Sequence, residues 1–483
     1  VASSKFREFL SSLLTHKTKF DVLQIDFIRR ITTHRAFQFS VIFPNLLIFW
    51  IIIVAGLFGG PVGNRNISVI FVWILWWFAL ISILVPFASR IWCTICPIPF
   101  FGEWIQRRSL VTKKNEKLYG LNKRWPRRLD NIWLQNMGFL LIATFTPLLV
   151  TRPVVTGIML ALLFVVATIL MLIYAKRVFC RYVCPVGGFL GLFSMFSSLE
   201  LRVNDRELCK KHITKECIRG GDNGYGCPWL VYPGTLERNN FCGLCLECIK
   251  GCPYNNISLN IRPFGSDILV KGERAIDEAW KSFIMFTLAG IYILVMQGPF
   301  IFFKDLARFF WVPPYGWGFT YVTNYVMYAG LVWITSLAIV PAIFFVFTAL
   351  SKLLSGSKEI SYKKLFIDYS YELIPLSLMA WIAFSVPLLL VNWSYIANVI
   401  SDPLGWGWNL FGTAEIAWKP LFPEYIPYIQ VVLLIIGLVY SIKFGFEISM
   451  ENFRDKSLAL KAFIPQLAFM ILASIFFLWL FVG

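Results

Sequence analysis

Nine long apolar stretches leave this chain few ways to fold: near residues 39 to 59, 67 to 89, 132 to 150, 154 to 175, 282 to 303, 320 to 350, 372 to 400, 426 to 446 and 462 to 482. Each is long enough to cross about 30 Å of hydrocarbon as a helix. In lipid every backbone N–H and C=O must be satisfied internally, so helices of this length are the expected spanning element. The 483 residues are 58% hydrophobic and 15% charged, with a mean hydropathy of +0.67. That is too apolar for a soluble domain. The expected fold is an all-α polytopic membrane protein of about nine transmembrane helices, with membrane lipid as its surroundings.

A net charge of +18 invites a nucleic-acid reading, but its distribution argues against one. With the amino terminus inside, only Arg65, Arg152, Lys304, Arg308 and Lys419 of the 45 Lys and Arg fall in outer loops. The rest crowd residues 5 to 35, 107 to 128 and 176 to 281 and the other inner segments. This is the positive-inside pattern. It places the protein in a prokaryotic cytoplasmic (inner) membrane, amino terminus inside and, after nine spans, carboxyl terminus outside. All eleven cysteines then lie at or beyond the cytoplasmic face, where thiols stay reduced. Residues 1 to 38 hold no apolar run of signal-peptide length, and the first span is the expected insertion signal.

Four segments follow from this pattern: an amphipathic cytoplasmic arm (1–38), a four-helix membrane half (39–175), a polar cytoplasmic insert (176–281) and a five-helix membrane half (282–483). In the insert, Cys242, Cys245 and Cys248 are spaced two residues apart, and Cys252-Pro253 follows. This spacing is that of the bacterial ferredoxin run, in which three thiolates wrap one 4Fe-4S cluster and the fourth ligates the neighbouring cluster. Zinc sites more often come as two separated Cys-x-x-Cys pairs. Upstream, Cys209, Cys217 and Cys227-Pro228 form an irregular counterpart. Crossed ligation assigns Cys227 to Cys242, Cys245 and Cys248, and Cys252 to Cys209 and Cys217. His212, three residues after Cys209, is the candidate fourth ligand of the second cluster, because imidazole is an acceptable iron ligand. A 3Fe-4S centre there, or a single cluster with Cys209 and Cys217 structural, stays open. The insert is therefore expected to be ferredoxin-like with two 4Fe-4S clusters.

Two internal echoes lie outside the insert. Cys93, Cys96-Pro97 and Cys180, Cys184-Pro185 close the inner ends of the second and fourth spans. Each pair is spaced to share one helix face, and each proline then breaks its helix. The four thiols are either buried apolar side chains or a further metal or redox-active centre at the membrane boundary. The second echo, Pro314 to Phe319 and Pro403 to Trp408, is an aromatic extracytoplasmic pair. It reads as an interfacial belt or as a docking surface.

Absences narrow the chemistry. The three histidines, His16, His34 and His212, lie outside the spans, which excludes haem held by two transmembrane histidines. There is no Cys-x-x-Cys-His and no phosphate-binding Gly-rich loop. Polar residues within or beside spans, Gln135, Asn136, Gln297 and Glu372, are candidates for a quinone site.

Arg35 and Gln38 before the first span, the Cys-Pro motifs at 93 to 97 and 180 to 187, and the run at 242 to 253 together resemble the polytopic iron-sulfur proteins of the NapH and NosR type. The resemblance covers roughly residues 35 to 260. It implies membrane electron transfer between quinol or a cytoplasmic donor and an extracytoplasmic metalloenzyme, or a part in maturing one. The leading expectation is an electron-transfer subunit of a respiratory redox complex, with other subunits and an extracytoplasmic metalloenzyme or electron carrier as partners. Basic residues around the clusters, among them Arg177, Arg181, Lys210, Lys211 and Lys215, would steer an acidic donor. Two rival readings are a maturation factor working through the Cys-Pro thiols, and an anchor for an extracytoplasmic enzyme.

Overall fold

The computed structural model describes residues 19–108, 119–222, 224–270, 274–296, 319–453 and 455–482. Among them, seven helices are long and apolar enough to cross a membrane: Phe37–Phe58, Ile67–Ala88, Pro153–Ile173, Tyr325–Ser355, Tyr362–Ser401, Pro423–Asn452 and Lys456–Val482. The other two expected spans correspond to Trp133–Leu149, of 17 residues, and Ile276–Met296, which runs into undescribed residues. Several helices outrun their apolar stretches. Pro423–Asn452, for example, continues through Glu447 and Glu451 beyond the expected end near 446.

The chain divides into two compact units, the first built from residues 1–135, 149–270 and 395–416. Within it, Phe37–Phe58 packs along Pro153–Ile173, and small residues set the approach: a Cβ on Gly56 would lie 2.9 Å from the Gly157 Cα. Leu47, Ile48, Trp50, Ile51 and Val54 face outward, where lipid replaces water. Ile67–Ala88 contains two π-helical stretches, Ile70–Trp76 and Ala79–Leu84. π-Turns of this kind often mark functional sites.

The soluble part of this unit carries a small antiparallel sheet of Phe20–Asp21 (β1), Leu199–Val203 (β2) and Ile257–Ile261 (β3), in the order β1-β3-β2. Leu201 pairs with Leu259 across it. The end of the amino-terminal arm thus supplies an edge strand to the insert. One face covers a core of Leu23, Leu201, Leu236, Leu244, Leu246 and Ile249 into which Cys217 and Cys248 are packed. Beside it, Arg262 bonds Glu200 at 3.0 Å and Arg202 bonds Asp267 at 2.6 Å. Asp267 in turn accepts from the Asn239 N–H at 2.6 Å, which anchors the turn entering Cys242.

The second unit holds residues 136–148, 271–394 and 417–483. The third expected span falls here rather than with the four-helix half. Asn136 donates to the Asp277 carbonyl at 2.9 Å, Thr146 bonds the Tyr292 hydroxyl at 2.7 Å, and the Lys281 ammonium stands 5.0 Å over the Phe139 ring. These polar contacts between helices could not be read from hydropathy. The segment Tyr362–Ser401 is two helices, Tyr362–Ser370 and Leu373–Ser401, and Glu372 sits buried at their junction with neither carboxylate oxygen bonded.

Candidate metal centres

The ferredoxin run is presented by a strained loop. Leu244 and Leu246 hold left-handed backbone conformations, φ 48° and 62°, that non-glycine residues rarely adopt. Both side chains are buried in the sheet core, which keeps the loop in this shape. The loop is pinned from the first span and from the short helix Trp92–Ile95: Gln38 donates to the Cys245 carbonyl at 2.6 Å, and Thr94 to the Leu244 carbonyl at 2.6 Å. Cys227 lies within electrostatic reach of Cys242, Cys245 and Cys248. Cys227 packs with Cys245 in one buried cluster, and Cys242, Cys248 and Cys252 pack with Cys217 on the sheet core.

Cys252 faces the irregular upstream motif. Cys209, His212, Cys217 and Cys252 line one small pocket, with Tyr232, Tyr254 and Asn256. Asn256 joins two of the thiols, donating its backbone N–H to Cys252 Sγ at 3.4 Å and its amide to Cys209 Sγ at 3.3 Å. His212 Nε2 is held by Thr214 Oγ1 at 2.7 Å and by Glu216 at 2.9 Å. Its ring also meets Tyr254 edge-on at 4.9 Å. The Thr214 hydroxyl on Nε2 orients the ring, as an outer hydrogen-bond partner does for a metal-binding imidazole, and leaves Nδ1 as the available nitrogen.

The four Cys-Pro thiols converge as well. Cys96 and Cys180 each lie within electrostatic reach of Cys93 and Cys184 and of each other. The local geometry differs from two helices broken by proline. Cys93 sits in the short helix Trp92–Ile95 with Cys96 just past its end, whereas Pro185 opens the helix Pro185–Ser194. Proline is favoured at a first helical position, where no N–H is needed. Cys184 consequently caps that helix, and its sulfur accepts the Gly187 N–H at 3.3 Å.

Two buried arginines hold this third group. Arg177 bonds Glu103 through Nε at 3.1 Å and the Cys93 carbonyl at 3.2 Å. Arg90 is 2% exposed, and among the described residues it has no carboxylate partner. Its guanidinium donates to the Asn240 carbonyl, stacks 4.5 Å over Trp229 and lies 4.0 Å from Cys93 Sγ, while its Nε has no partner. A buried cation without a counter-charge costs several kcal/mol. The Cys93 and Cys184 thiols lie beside it, and as metal-bound thiolates they would supply the missing negative charge.

The three groups are contiguous. Trp229 packs with Cys227 and Cys245, and Cys93 and Cys180 pack against the same cluster. On the other side Cys217 lies within reach of Cys227. Among the described residues no His, Cys, Asp or Glu set gathers as tightly as a single metal ion demands. Burial pushes the Cys184, Cys217 and Cys242 thiols up to about 11, and those of Cys96, Cys180, Cys245 and Cys248 well above their ordinary value. Without metal these groups rest as neutral thiols, and metal binding must release their protons.

Sequence reasoning missed Arg90, Trp229, Thr94, Glu216 and Asn256. Only Arg90 carried a local signal, its spacing of three residues before Cys93. Among the quinone candidates, Gln135 bonds the Arg181 carbonyl at 2.8 Å and Asn136 is taken up as described, so both act between helices. Gln297 and the first aromatic echo up to residue 318 lie outside the described residues. The second echo forms a loop in which Trp406 and Trp408 meet edge-on at 5.4 Å, both exposed.

Comparison with known proteins returns a family described as a 4Fe-4S binding domain, matching residues 69–118 and 157–204. These residues contain Cys93, Cys96, Cys180 and Cys184, not the run at 242 to 252. The chain is 26% identical over 201 residues to the "Putative electron transport protein YccM" of Escherichia coli K12, covering 36% of this chain and 51% of that one. Two uncharacterised proteins of Methanocaldococcus jannaschii are 22% and 24% identical, each over 38% of this chain and over 76% and 69% of their own lengths. The chain thus spans about half the length of YccM. No solved structure matches. These similarities agree with the NapH and NosR resemblance carried by the cysteine motifs.

Proposed function

We propose that this chain is a membrane electron-transfer protein with three iron-sulfur centres in series. Cys209, Cys217, Cys252 and His212 would hold an outer centre, Cys227, Cys242, Cys245 and Cys248 a middle one, and Cys93, Cys96, Cys180 and Cys184 an inner one at the membrane boundary. In the full reading it is a subunit of a respiratory redox complex. It passes electrons between quinone at the membrane or a cytoplasmic donor and a partner metalloenzyme. The observation that carries the proposal is the contiguity of the three thiol groups, with the unpaired Arg90 guanidinium facing the innermost. The YccM description, electron transport, supports the same reading.

Iron-sulfur clusters supply one-electron chemistry with potentials set by ligands, hydrogen bonds and nearby charge. The rest of the work falls to the chain's own side chains. Asn256 and the Gly187 N–H donate to ligand sulfurs, which favours their thiolate form. Thr214, itself held by Glu216, orients the His212 ring. Arg90 and Arg177 balance negative charge at the inner thiols, and the buried Trp229 fills the space between inner and middle groups and excludes water.

The test is an iron and sulfide count per chain with anaerobic electron paramagnetic resonance. Three centres predict about twelve irons, falling to about eight in Cys96→Ser/Cys180→Ser with the other signals retained. About eight in the unmodified protein, unchanged by that double substitution, would overturn the inner centre. An unmodified protein whose centres accept no electrons at physiological potentials would overturn the electron-transfer role.

A further inference from the structure

We infer that the recess formed by Lys176, Lys215, Ile218, Arg219, Leu230 and Tyr232 is the docking site of a soluble, acidic, one-electron carrier protein. The inference rests on the electron-transfer reading and names the partner that exchanges electrons with the outer centre.

Its first support is position. Tyr232 lines both this recess and the cavity of Cys209, His212, Cys217 and Cys252. Its hydroxyl donates to the Cys209 carbonyl at 2.6 Å, and its ring faces the Lys215 ammonium at 4.7 Å. One aromatic side chain therefore separates the recess from the outer thiols.

Charge is the second support. Among the described residues, no carboxylate pairs with Lys176, Lys215 or Arg219. Lys176 donates to the Ile218 and Cys227 carbonyls, at 2.7 and 3.0 Å, and burial draws its ammonium below the usual lysine range, so Lys215 and Arg219 carry most of the exposed charge. Neighbouring acids are engaged elsewhere: Glu207 with Lys210, and Glu216 with His212. Three unpaired cations around one recess attract an anionic surface and orient it before contact.

The third support is the apolar content of the same surface. Leu230, 41% exposed, lines the recess together with Ile218 and the Tyr232 ring, beside Lys176, Lys215 and Arg219. A small apolar centre with a charged rim is the anatomy of a transient protein interface. A lone phosphate or lipid headgroup would use the cations but not this apolar patch. In the exchange one electron leaves the carrier's reduced centre and enters the outer centre; no bond is formed or broken.

The loaded full chain in neutral phosphatidylcholine nanodiscs is mixed in a stopped-flow instrument with either of two reductants, a reduced acidic 2Fe-2S ferredoxin or methyl viologen radical cation. With ferredoxin the second-order rate constant should fall about tenfold or more in Lys215→Glu/Arg219→Glu, and should fall steeply with added salt in the unmodified protein. With viologen the rate should be equal or higher in the variant, and the paramagnetic signals should be unchanged. Ferredoxin rates indifferent to both charge reversal and salt would overturn the docking site while leaving electron transfer standing. The same would follow if the variant lost only bound phosphatidylglycerol in anionic nanodiscs, which would assign the recess to a lipid headgroup. Failure of viologen to reduce the unmodified protein would instead overturn the electron-transfer reading, and this inference with it.

Discussion

Replacing Arg90 by Gln should lower the midpoint potential of the inner centre by about 80 mV. A positive charge favours the reduced, more negative state, and Arg90 lies 4.0 Å from Cys93 Sγ with no carboxylate partner to cancel it. At that separation a unit charge interacts with another by about 4 kcal/mol at an effective dielectric of about 20. Spreading the added electron over a cluster rather than one sulfur roughly halves this, to about 2 kcal/mol. With about 1.4 kcal/mol, or 59 mV for one electron, per factor of ten, that gives about 80 mV. Cys242 also feels the Arg90 charge, so the middle centre should shift in the same direction by less. The assay is an anaerobic potentiometric titration followed by electron paramagnetic resonance. Arg90→Lys serves as the control that keeps the charge and loses the stacking on Trp229. A shift under about 20 mV in Arg90→Gln, or a rise, would refute the reasoning that this guanidinium is the counter-charge of a metal centre.

Three further outcomes follow from the same geometry. His212→Cys should retain the outer centre and lower its potential, because histidine in place of cysteine raises the potential of iron-sulfur centres; unaltered signals and potential would remove His212 from the ligand set. Glu103→Gln strips a buried carboxylate from Arg177 and Arg107, whose side chains are 1% and 10% exposed. It should destabilise the protein by about 3 to 5 kcal/mol in detergent unfolding, with partial recovery in Glu103→Gln/Arg177→Met. The metal-stripped protein should lose stability as pH rises. The Cys184, Cys217 and Cys242 thiols titrate at about 11 when folded against an ordinary 9.0, so their contribution is complete below pH 9 and lost toward pH 11. Unfolding midpoints of stripped and loaded protein compared across pH 8 to 11 check this, and the loaded form, with its thiols already deprotonated, should lack the decline.

Part of the site was legible because ferredoxin spacing is a local code. The expected sharing of Cys227 with Cys242, Cys245 and Cys248, and of Cys252 with Cys209, His212 and Cys217, rests on that spacing and on two Cys-Pro turns, and the structure sets the last four around one pocket. Hydropathy likewise located the seven long apolar helices among the described residues, since each carries its signal over a continuous stretch of sequence. What stayed hidden depends on long-range packing. Arg90 meets Asn240, Gln38 meets Cys245 and Thr94 meets Leu244 across about 150 to 200 residues of sequence, and no periodicity marks such pairs. The amino-terminal arm read as a separate amphipathic segment because Phe20–Asp21 is too short a strand to carry its own pattern. The Cys-Pro motifs were ambiguous because buried cysteines are common in helices; the stranded Arg90 charge beside them is visible only in three dimensions.

The series arrangement is tested most directly by driving electrons through it from the membrane. The loaded protein in nanodiscs would be given a quinol analogue, and reduction of the middle centre followed in the unmodified chain and in Cys96→Ser/Cys180→Ser. If the inner thiols hold the entry centre, the double substitution should abolish quinol-driven reduction of the middle centre, which methyl viologen would still reduce. Undiminished quinol-driven reduction in the variant would contradict the account and place the Cys-Pro thiols off the electron path.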